Sequence, residues 1–178
     1  MKTINKIGII GKGGSGKDTI ADFLRDEFGY TTVAFADGLY QVCRDFYKMK
    51  KKNRKLLQDV GSAMRTVDED VFINKALKSL EGKDKVCISD VRALNEYERL
   101  KKEGFVFIRV VADLDKRISR IEKRDGIICD EAYIKSLEEA PIENYLNDVN
   151  TDFIVYNNET IEDLYALIRN IIADYESF

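Results

Sequence analysis

The 178-residue chain has no histidine and no tryptophan, a single proline and only three cysteines. Without histidine there is no His-based acid–base chemistry, no Ser-His-Asp arrangement and none of the commonest zinc ligand. Cys43, Cys87 and Cys129 are odd in number and widely spaced; they show no zinc-type pairing and fit reduced thiols in a cytoplasmic protein. Cys87 falls in an apolar run and reads as a small core residue. One proline among 44% apolar residues indicates an ordered globular chain, long enough for one domain with a full core. No apolar run reaches the length of a membrane span, and the N-terminus leads straight into an apolar run with no visible signal peptide. A net charge of −3 advertises no nucleic-acid partner.

What is present begins at residue 7. Ile7-Gly8-Ile9-Ile10 is an apolar strand pattern, and Gly11-Lys12-Gly13-Gly14-Ser15-Gly16-Lys17-Asp18-Thr19 follows it directly. An amphipathic segment comes next. Strand, glycine-rich loop and helix is the context of a phosphate-binding P-loop. Glycines let several backbone N–H groups turn towards one anion, and the following helix adds the positive end of its dipole. Lys17 can then reach the terminal phosphates. Asp18 stands where Ser or Thr usually binds Mg²⁺. A carboxylate there suits the helix dipole, but beside a triphosphate it would be repelled unless Mg²⁺ lies between them. Asp18 is therefore read as a ligand of Mg²⁺ or of its water, leaving Thr19 to a phosphate.

Strand patterns recur at 31–36, 85–89, 105–111 and Phe153–Tyr156, and helix patterns at 19–28, 38–47, 70–80, 95–103, 115–124, Glu131–Glu138 and 161–175. Alternation of this kind predicts a mainly parallel sheet covered on both faces. Ligands then bind at the carboxyl ends of the strands, where Asp37, Asp90, Arg92, Asp113 and Asn157 stand. Asn157 is read, with the glycine loop, as a nucleotide contact. Val86-Cys87-Ile88-Ser89-Asp90 is an apolar strand ending in a carboxylate, the Walker B arrangement, which makes Asp90 a second Mg²⁺ candidate. Arg65, Arg92 and the helical neighbours Arg117, Arg120 and Arg124 supply planar forks for phosphate oxygens; for Arg117 and Arg120, surface ion pairing is an equally good account. The basic run Lys48, Lys50, Lys51, Lys52, Arg54 and Lys55 reads first as a solvated helix end or loop, and second as an electrostatic guide for nucleotides.

Taken together, Lys17-Asp18-Thr19, Ala34-Phe35-Ala36-Asp37-Gly38-Leu39, Leu56-Leu57-Gln58-Asp59-Val60-Gly61 with Arg65, Ile88-Ser89-Asp90-Val91-Arg92 with Asn95-Glu96, and Asp152-Phe153-Ile154-Val155-Tyr156-Asn157-Asn158 resemble the deoxynucleoside monophosphate kinases of phage and bacterial type. From 120–126 onward the chain is also similar to dephospho-coenzyme A kinase. The resemblance implies a single P-loop NTPase domain, a three-layer α/β/α sandwich on a five-stranded parallel sheet. A helical acceptor lobe would span about 37–80 and a mobile lid about 117–143. ATP and Mg²⁺ would be required, and the reaction would make a (deoxy)nucleoside diphosphate. Lys17, Arg65, Arg92, Arg120 and Arg124 would be catalytic. Arg65 and Arg92 would hold the acceptor phosphate, with Asp37, Gln58 and Asp68 near its nucleoside. Gly38, Tyr40 and Phe72 depart from the family's usual Pro, Lys and Trp, and 139–143 lacks the family's His-Pro-Ser-Glu-like turn; these changes bear on base preference more than on the reaction. The reading has small nucleotides as partners, no nucleic acid and no membrane, and leaves a homodimer open. The alternatives are a kinase of another small acceptor, such as dephospho-coenzyme A, and a non-catalytic nucleotide-binding switch.

Overall fold

The computed structural model describes residues 3–138 and 149–176. Five strands, β1 (Lys6–Ile10), β2 (Thr31–Val33), β3 (Val86–Val91), β4 (Val106–Val111) and β5 (Phe153–Tyr156), form one sheet in the order β2-β3-β1-β4-β5. Every pairing is parallel, with Ile7 opposite Cys87 on one side and Val106 on the other. Each connection must therefore cross a face of the sheet. The helices do so: α1 (Lys17–Phe28), α2 (Phe35–Tyr47), α3 (Arg54–Val67), α4 (Val71–Ser79), α5 (Leu94–Lys102), α6 (Leu114–Asp125), α7 (Glu131–Glu138) and α8 (Ile161–Glu176).

Side-chain alternation along the strands makes two cores. Ile7, Ile9, Ile108, Val110 and Val155 face α1 and α8, where they meet Ile20, Leu24, Leu164 and Ile168. Ile10, Ile88 and Phe107 face the opposite way, towards Phe72, Ile73 and Ala76 of α4 and Tyr97 and Leu100 of α5. Burial on both faces explains why these strands read as continuous apolar runs. Cys87 is buried among them, and all three cysteines are free thiols. A small satellite cluster, Cys43, Leu57 and Val60, joins α2 to α3. Among the described residues no helix is long and apolar enough to cross a membrane.

Two elements differ from the sequence expectation. The second strand stops at Val33, and Phe35 and Ala36 open α2 instead of extending the sheet. Their amides donate to the Asp90 carboxylate, at 2.6 and 3.2 Å, and Asp37 accepts from Ala34 N at 2.9 Å. Three hydrogen bonds at the helix start thereby outweigh a local β preference. The 14-residue helix α3 has no helix pattern of its own in the sequence and falls only within the helical lobe that the resemblance implies. Its first turn has no acidic residue, it follows a basic run, and Gly61 lies inside it.

Candidate active site

The glycine loop lies between β1 and α1, at the carboxyl end of the central strand. Gly14 and Gly16 have φ of 77° and 103°, a region that side-chain-bearing residues avoid. A Cβ on Gly14 would lie 2.6 Å from the Arg117 carbonyl oxygen, and one on Gly16 would collide with the Asn157 amide. Lys17, the first residue of α1, is buried, and its Nζ donates to the carbonyls of Gly11 and Lys12. Ser15 Oγ is buried without a hydrogen-bond partner among the described residues. A curled backbone, an inward lysine and an orphan hydroxyl fit a polyphosphate. Asp18 and Thr19, in the first turn of α1, face the same cavity.

That cavity has a volume of about 940 Å³ and reaches from the glycine loop across the β3 end to α2 and α3. The arginines of α6 behave differently from one another. Arg120 and Arg124 line the cavity. Arg124 also forks onto Asp125 at 2.7 and 2.9 Å. Arg117 does not line it: it is buried, donates to Gly13 O at 2.8 Å and pairs with Glu138 at 2.7 Å. Glu138 also pairs with Lys12 at 3.1 Å, so the end of α7 is tied to the glycine loop. Burial raises the Glu138 pKa, and hydrogen bonds from Arg117 and Lys12 outweigh that and hold it below its ordinary value.

On the far side, Asp37, Gln58, Arg65 and Arg92 all reach the cavity. The Arg65 guanidinium lies 4.9 Å from the centre of the Phe72 ring, a cation–π contact that fixes its heading. Arg92 is exposed, with no ion-pair partner among the described residues. Asp68 lies outside the lining. It caps the end of α3 and accepts from Asp70 N and the Asn74 amide. Asn157 is also outside the lining, packed beneath the glycine loop. Of the expected lid, 139–143 lies outside the described residues.

Asp90 reaches the cavity, with both oxygens engaged by the Phe35 and Ala36 amides. Burial raises its pKa, although those amides and Arg92 act against the rise. Among the described residues no group of three His, Cys, Asp or Glu is arranged to hold a metal. A divalent ion in this cleft would meet the Asp18 and Asp90 carboxylates of the lining beside phosphate oxygens and water. Three further cavity residues had no assigned catalytic or binding role in the sequence, although Glu96 stood in the resemblance motif and Lys52 in the basic run. Glu96 accepts from Arg92 N at 2.7 Å and Ala93 N at 3.0 Å, and burial pushes its pKa up to about 7. Its position three residues after Ala93 is a capping-box spacing without the usual Ser or Thr. Lys52 belonged to the basic run, and Tyr133 to an unremarkable amphipathic turn.

Parallel strands in this order, with a phosphate cradle after the first and a helical excursion between the second and third, make this a P-loop kinase. The chain belongs to the AAA domain family, whose pattern matches residues 7–139. It is 26% identical to a candidate deoxynucleotide monophosphate kinase of Acanthamoeba polyphaga mimivirus, over 93% of this chain and 95% of that one. It is 28% identical to a dephospho-CoA kinase of Corynebacterium glutamicum, over 95% and 96%. The shikimate kinase of Acinetobacter baumannii, solved in complex with shikimate, shares the fold with a TM-score of 0.66 and 15% identity, covering 97% of this chain and 94% of that one.

Proposed function

We propose that the protein transfers the γ-phosphoryl group of ATP to a (deoxy)nucleoside monophosphate. One observation carries this reading: a single cavity joins the glycine loop, Lys17, Arg120 and Arg124 to Arg65 and Arg92 on the other side of the central strand. Two cationic ends in one cleft suit a reaction between two phosphate groups. The donor triphosphate rests on the loop amides and Lys17, with Arg120 and Arg124 over the moving group. Arg65 and Arg92 hold the acceptor phosphate, and Asp37 and Gln58 face its nucleoside. Asp68 acts by fixing the α3–α4 junction. The segment 37–80 serves as the acceptor lobe and about 117–143 as the lid, whose closure excludes water. Mg²⁺, when bound near Asp18, neutralises charge on the phosphates. The acceptor is already an anionic oxygen nucleophile, so no histidine-like base is needed. Three free thiols support a reducing, cytoplasmic setting.

The second reading is a dephospho-coenzyme A kinase, favoured by the Corynebacterium relative that aligns over nearly both whole chains. The test is a panel of the deoxynucleoside and nucleoside monophosphates plus dephospho-coenzyme A. ADP release is followed by a coupled assay and the product is identified by chromatography. The first reading requires a nucleoside monophosphate to be the best acceptor. Preference for dephospho-coenzyme A installs the second. ATP binding without turnover on any acceptor would support a nucleotide-binding switch.

A further inference from the structure

Asn157 follows β5, is 6% exposed, and lies outside the lining of the cavity described above. Its backbone N–H donates to Val111 O at 2.7 Å, which continues the β4–β5 pairing by one residue. Its side chain is a bridge. Nδ2 donates to Ser15 O in the glycine loop at 2.8 Å. Its own carbonyl and Oδ1 accept from Arg120 Nη2, at 3.0 and 3.3 Å. The amide has only one orientation that works, because the Ser15 carbonyl can only accept and the guanidinium can only donate. Gly16 leaves the room for it, since a Cβ there would strike the amide nitrogen. Next door, Asn158 Oδ1 accepts from Asp113 N at 2.8 Å, which anchors the residue before α6, the helix that carries Arg120. Arg120 has a second nitrogen, Nη1, that is buried and has no partner among the described residues. A buried donor without a partner is costly, and such groups persist where a ligand completes them.

We infer that Asn157 is a positioning residue that locks the Arg120 guanidinium to the glycine loop, so that the loop and the arginine meet the polyphosphate of a nucleoside triphosphate as one preset unit. It touches no substrate atom and acts through its two neighbours. This rests on the reading that ATP occupies the glycine loop, and ATP affinity is measured directly so that the identity of the acceptor does not enter.

Isothermal titration with ATP and Mg²⁺ is run on the full chain, on Asn157→Ala, on Arg120→Ala and on the double variant. Asn157→Ala is expected to weaken ATP about tenfold alone and less than twofold when Arg120 is already alanine, the signature of coupled residues. The KM of the best acceptor should move less than twofold. Asn157→Asp, close in size, keeps an oxygen for Arg120 but loses the donor to Ser15. It is expected to weaken ATP by a similar factor and carries the same cycle should the alanine variant not fold. Equal losses in both backgrounds, or no loss at all, would overturn the inference. A wild-type chain that does not bind ATP would instead overturn the kinase reading.

Discussion

Lys17 combines burial with a charge that donates to two loop carbonyls, those of Gly11 and Lys12. A phosphoryl group in flight would be a stronger partner than two neutral carbonyls. Lys17→Ala should lower turnover about a hundredfold or more while circular dichroism stays native; near-normal phosphotransfer would refute its role. Glu96 makes a prediction about pH. Its pKa rises from an ordinary 4.5 to about 7 because burial disfavours the charge. Between those values the folded chain holds a proton that the unfolded chain has released. Stability from this group is therefore present below about pH 4.5 and is lost as pH climbs towards 7. The full effect is on the order of 3 kcal/mol. Glu96→Gln should gain on the wild type between pH 5 and pH 7.5 in urea unfolding, with a shallower slope left by Asp90, whose pKa burial also raises. A difference that does not change with pH would contradict this. Little of it was legible beforehand, because Glu96 is buried only in the folded chain, where the distant Arg65 also acts on its charge.

Element boundaries show where local signals suffice. Thr160 and Asp163 form a reciprocal cap on α8: Thr160 Oγ1 accepts from Asp163 N, and the Asp163 carboxylate accepts from Thr160 N. Both partners lie within one turn, so the sequence displays the cap. Thr160→Ala should cost about 1 kcal/mol in denaturant unfolding without altering activity. The start of α2 is the opposite case. Its amides are held by Asp90, 55 residues away from Phe35 along the chain, and no local reading reveals that. Asp90→Ala should destabilise the fold by roughly 1–3 kcal/mol and blur the acceptor side of the cavity, raising the acceptor KM; unchanged stability would disprove the capping role. Helix α3 did carry one local signal, Asn53, whose side chain accepts from Leu56 N at 3.1 Å. The rest of its support is tertiary, through Leu57 and Val60 against Cys43 of α2. Gly61, unfavourable by propensity, sits where a Cβ would press to 3.2 Å on Leu39.

For the whole molecule, the consequence is that ligand and fold are coupled through one cavity. The walls of that cavity come from the glycine loop, from helices α1 to α7 and from the end of β3. ATP at a hundred times its dissociation constant should stabilise the chain by about 2.7 kcal/mol, or roughly 5–10 °C in thermal midpoint for a domain of this size. Lys17→Ala should erase most of that shift in differential scanning fluorimetry. An equal shift in that variant would mean that ATP binds elsewhere. The sequence by itself determined the phosphate cradle, the alternating elements and the parallel sheet. Glycine spacing, strand burial on both faces and nearby caps are written in short stretches of chain. Only the tertiary structure decided which carboxylates are spoken for, that Arg117 clamps the loop while Arg120 faces the cavity, and that Asn157 joins the two. Those assignments depend on contacts between residues up to 142 positions apart. Burial and hydrogen-bond geometry exist only once the strands have taken their order.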